Sequence, residues 1–381
     1  MPKPHILILI DWFLPGYKAG GPIQSVRNLT LAMKEHFRFS ILTTNTDEGS
    51  DEPYEGVVTN QWIAFDEHTD IYYCSHDQLS RQTIHDQIEA RNPDYLYINS
   101  LFSLPFTIWP LQYVRGKKGN PQAVLAVRGM LHKGAISIKR WKKLAFIQSL
   151  KFTAVHKQLI WQATDEQELK DIKAFFGSSM KVRLSSNFPR QHQEKWQSLD
   201  KRPGEAKLVF HSRVSPKKNL DFLLPFLKGK DGVSLDIIGP MEDKEYVAQL
   251  KSLIEVHQIK ARFLGPIPPQ ELQKKLANYH VSCLPTKGEN FGHAIFEALL
   301  AGKPVWISDQ TPWRDLEAKK VGWDISLSDV QAWTTVLDKI WNMDQAAYDD
   351  WSKTAWEYAK GVKESKETRE SSIRLFQPID L

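Results

Sequence analysis

Short apolar runs alternate with longer helical stretches along this sequence, and after a polar interruption the alternation begins again. That pattern fits parallel strands joined by crossover helices, and its repetition implies an α/β chain with two doubly wound, Rossmann-like domains. In the first series, strands are expected over 5–11, 37–43, 70–75, 94–99, 123–127 and 158–163, with helices over 22–34 and 78–91. The run from His5 to Ile10 has the continuous apolar character of a strand buried on both faces. Thr164 is the expected N-cap of a further helix, with Gln167 at the capping-box position. In the second series, strands are expected over 207–211, 233–238, 262–264, 281–284 and 304–308, with helices over 220–227, 242–257, 270–278 and 292–301. Residues 190–206 are polar, contain Pro203 and Gly204, and read as a linker. The expected plan is therefore an N-terminal domain at 1–189 and a C-terminal domain at 207–345. A helical tail at 346–381 is expected to cross back to the first domain. Ligands in such sheets sit at the carboxyl ends of the strands, so a cleft between facing domains is the expected site.

Composition narrows the class. The chain has 381 residues, more than one core usually serves, and 41% hydrophobic with 25% charged residues is an ordinary globular balance. Its two cysteines, Cys74 and Cys283, give neither a disulfide framework nor a metal cluster and read as reduced core thiols. No apolar run is long enough for a signal-peptide core or a membrane span, so a cytoplasmic location is expected. Thirteen tryptophans are many for this length, and some are expected to line a sugar or interface site.

The net charge of +5 is unevenly placed. No acid lies between Asp94 and Asp165, whereas that window holds Arg115, Lys117, Lys118, Arg128, Lys133, Lys139, Arg140, Lys142, Lys143, Lys151 and Lys157. A field of one sign suggests an anionic partner. Within it, residues 136–157 mix bases with Ile138, Trp141, Leu144, Phe146, Ile147, Leu150 and Phe152, as a surface-lying amphipathic helix would. Residues 115–157 are accordingly expected to meet an anionic membrane surface. Nucleic acid is not expected, because no helix-turn-helix, zinc or RNA-binding signature is present.

Three segments carry chemistry. Between the first strand and first helix, Gly20-Gly21-Pro22 lets backbone approach a ligand, and the free N–H groups of the helix start favour a phosphate. After the first strand of the second domain, Arg213 and Lys218 stand where a diphosphate would lie, and Asn219 is a candidate N-cap. Further on, Glu289-Asn290-Phe291-Gly292-His293 leads into an apolar helix that contains Glu297. Two carboxylates so placed can each grip hydroxyls of a ribose or hexose, and a charge among Ala, Ile, Phe and Leu needs a reason.

These segments resemble the retaining glycosyltransferases of the GT-B fold known as family four. Glu289 and Glu297 match its Glu-x7-Glu element, with Phe291-Gly292 and Ala301-Gly302-Lys303-Pro304 in place. Arg213 and Lys218 match its basic pair, Gly20 and Gly21 its glycine loop, and Ser308 to Trp313 a loop of members that build bacterial surface polysaccharides. The resemblance implies two Rossmann-like domains facing across a cleft and transfer of a hexose-type sugar from a nucleotide diphosphate sugar to a glycan or lipid-linked acceptor. By the same resemblance Glu297 holds the ribose, Glu289 contacts the donor sugar with Asn290, Phe291 and Gly292 nearby, and Arg213 and Lys218 neutralise the departing diphosphate. Attack on the face of the leaving group would retain configuration without a protein nucleophile.

One departure stands out. Where many relatives carry a His after a first-domain strand, this chain has Arg128, followed by His132, and His293 is a third candidate for the acceptor side or the base. No general base is assigned. No Asp-x-Asp motif and no His/Cys cluster is present, so neither a metal nor a cofactor is expected. The competing readings are a non-catalytic nucleotide-sugar scaffold and a sugar-nucleotide epimerase on the same fold.

Overall fold

A computed structural model of the protein describes residues 3–115, 117, 121–132, 135–136, 140–188, 195–363 and 366–377. The chain forms two compact units, one of residues 1–188 with 365–381, the other of residues 189–364.

The first unit contains β1 (His5–Leu9), α1 (Gly21–Met33), β2 (Arg38–Thr44), β3 (Trp62–Asp66), β4 (Thr69–Cys74), α2 (Arg81–Arg91) and β5 (Tyr95–Ile98). It continues with α3 (Trp109–Val114), β6 (Gln122–Ala126), α4 (Arg140–Phe152), β7 (Ile160–Ala163), α5 (Glu166–Phe176) and β8 (Val182–Leu184). Its strands form one sheet in the order β3-β4-β2-β1-β5-β6-β7-β8, parallel except where β3 runs against β4. β1 shows why the sheet is layered on both sides. Ile6, Leu7, Ile8 and Leu9 are all fully buried, with Leu7 and Leu9 in one core and Ile6 and Ile8 in the other. Each such side chain contributes about 1.5–3 kcal/mol relative to exposure, so a polar residue at any of them would be costly. Strand order reverses between β1 and β5, because the chain leaves β1 toward β2 and returns at β5 on the other side.

The second unit contains β9 (Ala206–His211), α6 (Leu220–Leu223), β10 (Val233–Ile238), α7 (Lys244–Val256), β11 (Ala261–Gly265), α8 (Pro269–Leu276) and β12 (Val281–Leu284). It ends with α9 (His293–Leu300), β13 (Val305–Ser308), β14 (Gly322–Ile325), α10 (Val330–Asn342) and α11 (Gln345–Lys363). Its six-stranded sheet has the order β11-β10-β9-β12-β13-β14 and is parallel throughout, and here the order reverses between β9 and β12. Trp306, Trp323 and Trp333 are fully buried in this core and Trp161 in that of the first unit, so these four tryptophans serve packing. Trp323 stacks on Trp351 with ring centroids 4.5 Å apart.

The tail is two helices rather than one: α11 stays with the second unit and α12 (Lys366–Leu375) with the first. Arg183 receives the end of α12, donating from Nη1 to the carbonyls of Arg374, Leu375 and Gln377 at 2.6, 3.1 and 2.8 Å. A cation there meets the negative end of the helix dipole. Phe376 packs edge-on to Phe37, Tyr95 and Tyr97.

Other differences from the sequence reading have local causes. Asp165, not Thr164, caps α5, accepting the Glu168 N–H at 2.7 Å. Thr164 instead donates its hydroxyl to the Glu168 carboxylate at 2.8 Å. Pro225 breaks the helix expected over 220–227 into α6 and a 3-10 turn. Strands β3, β8 and β14 were not expected. β3 is a half-exposed edge strand, β8 has three residues, and β14 begins on Gly322.

Candidate functional site

In the second unit the loops that follow β9 and β12 flank the reversal point, where open α/β sheets bind ligands. Lys218, in the loop after β9, forms an ion pair with Glu289, in the loop after β12. Their side chains are only 17% and 12% exposed, so this is a largely desolvated pair. Backbone ties fix the loops together: the Lys287 N–H donates to the Lys217 carbonyl at 2.8 Å and the Glu289 N–H to the Gln310 carbonyl at 3.0 Å. Burial pushes the Glu289 carboxyl up, but the Lys218 and Lys217 charges and hydrogen bonds from Lys218 and Thr286 outweigh it, leaving the group below the usual glutamate range. Glu289 is therefore a carboxylate at neutral pH.

Arg213 stands on the same loop as Lys218 and lies 3.8 Å from Glu242, both side chains being about a third or more exposed. An exposed pair of that kind is worth about 0–1 kcal/mol. Asn219 precedes α6 in a left-handed conformation (φ 60°), but its side chain makes no capping hydrogen bond, which corrects the expected cap. His211, the last residue of β9, is buried with Nδ1 3.1 Å from the Ser282 hydroxyl, and burial lowers its pKa to about 4. The imidazole is thus neutral, and nothing in its sequence position singled it out.

Helix α9 starts beside these loops in sequence, with Gly292 at its N-cap (φ 76°). The positive φ strains any side chain at Gly292, and a Cβ there would also press on Ile295 Cδ1 at 2.8 Å. The indole N–H of Trp313 donates to the Phe291 carbonyl at 2.5 Å, while its ring lies against Phe291 and Phe296. Trp313 thereby holds the Phe291–Gly292 turn in place. Asn290 is half-buried just before this turn. His293 opens the helix, its ring 4.8 Å from that of Phe291. Glu297 follows one turn later and is buried at 9% exposure, with its carbonyl accepting from Gln273 at 3.2 Å.

In the first unit the loop of Gly20 and Gly21 leads into α1, with Gly20 at the N-cap (φ 67°) and Pro22 in the first turn. Asp47 anchors this loop by accepting the N–H groups of Tyr17 at 3.0 Å and Lys18 at 3.2 Å. Gly16 is pressed beneath Tyr54, whose hydroxyl would lie 2.1 Å from any Cβ. Arg128 (φ 52°) turns its guanidinium to Asn187 at 2.5 Å, Tyr97 at 3.0 Å and Asn99 at 2.5 Å, tying together the ends of β5, β6 and β8. His132 pairs through Nδ1 with Asp171. Arg128 and His132 therefore share a loop but serve separate partners.

Helix α4 has two faces. Ile147 and Leu150 are buried and Phe146 packs edge-on to Phe102, whereas Trp141 and Phe152 are 82% and 92% exposed. Arg140, Lys142 and Lys157 are exposed around them. Of the basic window, Lys118, Lys133 and Lys139 lie outside the described residues, as do residues 190–194 of the expected linker. Among the described residues no helix is long and apolar enough to cross a membrane, and no group of three His, Cys, Asp or Glu is set to hold a metal.

Comparison with known proteins follows the same division. Residues 191–357 match the family Glycosyl transferases group 1. A segment of 118 residues is 31% identical to phosphatidyl-myo-inositol mannosyltransferase of Mycobacterium leprae (strain TN), covering 30% of this chain and 30% of that protein's length. The structure is similar to sucrose-phosphate synthase from Thermosynechococcus elongatus (TM-score 0.71, 15% identity, 98% of this chain and 97% of that one). It is also similar to Anabaena HepE in complex with UDP-glucose (TM-score 0.67, 14% identity, 97% and 98% covered). At such identities the likeness speaks for fold alone. The chain has the GT-B fold of two Rossmann-like units, and its residues 191–357 are similar to the glycosyl transferases group 1 family.

Proposed function

We propose that the protein is a retaining glycosyltransferase that takes a hexose-type sugar from a nucleotide diphosphate sugar. The observation that carries this reading is the Lys218–Glu289 pair at the strand reversal of the second unit, with Arg213 on the same loop as the lysine. In this reading Arg213 and Lys218 meet the diphosphate and stabilise the charge that develops on it as the glycosidic bond breaks, usually the largest catalytic contribution. Glu289 and the turn at Asn290, Phe291 and Gly292 hold the donor sugar, and Glu297 the ribose. Two cations at the diphosphate do the work a metal would otherwise do, so the reaction proceeds without one. The neighbour that carries UDP-glucose on this fold supports a nucleotide-sugar donor.

The acceptor in this proposal is a glycan or a lipid-linked sugar of a surface polysaccharide or lipopolysaccharide, met at the cytoplasmic face of a membrane. Exposed Trp141 and Phe152 among bases on α4 support that reading, because an apolar residue ringed by cations suits an anionic interface. So does the curated relative, whose name specifies a phosphatidyl-inositol acceptor. The test is sugar release or transfer from a panel of nucleotide sugars, in chelator, by the wild type, Arg213→Ala and Glu297→Gln. Turnover of one donor that falls about 100-fold or more in Arg213→Ala supports the reading. Full turnover in both variants, or turnover only with added metal, contradicts it.

A further inference from the structure

Both sheets carry a polar bridge at the point where strand order reverses, and only that of the second unit has a role in the reading above. In the first unit the reversal lies between β1 and β5. Asp11 follows the end of β1, Ser103 follows the end of β5, and the Ser103 hydroxyl donates to Asp11 Oδ1 at 2.6 Å. We propose that Asp11 and Ser103 form a carbohydrate subsite in which the Asp11 carboxylate accepts a hydrogen bond from a sugar hydroxyl of the acceptor. The inference rests on the transferase reading only for the ligand's class; its position comes from the sheet.

Several observations distinguish Asp11 from a structural carboxylate. Among the described residues no basic side chain pairs with it and Ser103 is the side chain that hydrogen bonds it, so the carboxylate keeps accepting capacity. It is nonetheless half-buried rather than solvated, and burial raises its pKa, a cost for which the fold shows no compensating cation. Its backbone is held from the neighbouring strand. The Asp11 carbonyl accepts the Thr44 hydroxyl at 2.6 Å, the Thr43 hydroxyl at 3.1 Å and the Thr44 N–H at 3.2 Å. Beyond β5 the edge is stiffened by Arg128, which holds Asn99 immediately after that strand. A carboxylate pinned by its own main chain and aimed by one hydroxyl, at the carboxyl edge of a parallel sheet, has the preorganisation of a binding group. Sugar hydroxyls are donors that such an acceptor selects.

Ser103 also accepts the Phe106 N–H at 3.1 Å and so fastens that turn as well. The experiment separates the two roles. Binding of octyl α- and β-glucosides, galactosides and mannosides is measured by saturation-transfer NMR and calorimetry for the wild type, Asp11→Asn and Ser103→Ala. Melting temperature and the shift given by UDP are followed in the same samples. The expected result is that at least one glycoside binds the wild type and weakens about tenfold or more in Asp11→Asn, with folding and the UDP response unchanged. Ser103→Ala should weaken the same glycoside less. Unchanged glycoside binding in Asp11→Asn, a loss only of melting temperature, or no glycoside bound by the wild type would each overturn the proposal. A lost UDP response in the wild type would instead strike at the donor site of the second unit.

Discussion

Lys218 and Glu289 stand 71 positions apart in the chain and meet as a nearly dry ion pair. Removing one partner of such a pair leaves the other buried and uncompensated, which costs more than the pair itself is worth. Lys218→Ala is therefore expected to destabilise the protein by about 1–3 kcal/mol in denaturant titrations. Adding Glu289→Gln should restore most of that loss without restoring transfer, because the diphosphate would still lack its lysine. The pH dependence has a definite sign. The folded pKa of Glu289 is held below its usual 4.5, so its contribution is complete above that value and disappears as pH falls through the folded pKa. In Lys218→Ala the main opposing charge is gone and burial dominates, so acid sensitivity should begin at higher pH. Sequence position alone marked both residues through the motif they match. Their pairing, and the Asp11–Ser103 bridge, are set by which strand ends become neighbours, and that is a property of the sheet order rather than of any local window.

At the scale of elements, the long apolar runs were legible because a strand buried on both faces shows nothing but apolar side chains, as β1 does. What escaped was short or half-exposed. β3 alternates too weakly to announce itself, β8 is too brief, and β14 is only four residues. Caps depend on one side chain reaching one N–H, and a shift of one residue between Thr164 and Asp165 lies below what spacing resolves. Helix α4 was legible in composition but not in orientation, since its bases suggested a surface helix while Ile147 and Leu150 turned out to be core. The exposed remainder makes a direct prediction. Wild-type protein should sediment with vesicles containing anionic lipid at physiological salt, and Trp141→Ala with Phe152→Ala should lower the partition coefficient about tenfold or more. Equal sedimentation of wild type and double variant would remove α4 from the membrane reading.

For the whole molecule, two units each built on a parallel sheet produce a shared vulnerability to acid. His5 in the first unit and His211 and His280 in the second all have pKa values lowered to about 4, chiefly by burial. His280 shows the mechanism. The Lys207 N–H donates to its Nδ1 at 3.0 Å, which requires that nitrogen to be unprotonated, and its Nε2 then donates to the Asp200 carbonyl at 2.9 Å. As pH falls from about 6.5 toward 4, unfolded chains take up protons that these three rings refuse. Stability should therefore be full above about pH 6.5 and decline below it. Urea titrations across that range are expected to show a slope reduced by up to about 1.4 kcal/mol per pH unit in His280→Gln. An unchanged slope would mean that the ring is protonated in the fold.

The alternation read from the sequence foretold two doubly wound sheets because crossover connections leave no other economical arrangement. It could not reveal which contacts hold the last helix to the first unit, since those of Arg183 join positions some 190 apart and those of Phe376 positions farther apart still. The central claim is that the second unit holds a nucleoside diphosphate without a metal, and thermal-shift binding of UDP, GDP, ADP and CMP in chelator tests it most directly. The account predicts a concentration-dependent rise in melting temperature with at least one diphosphate, much reduced in Arg213→Ala and Lys218→Ala. No rise with any of them, or an equal rise in all three proteins, would contradict it.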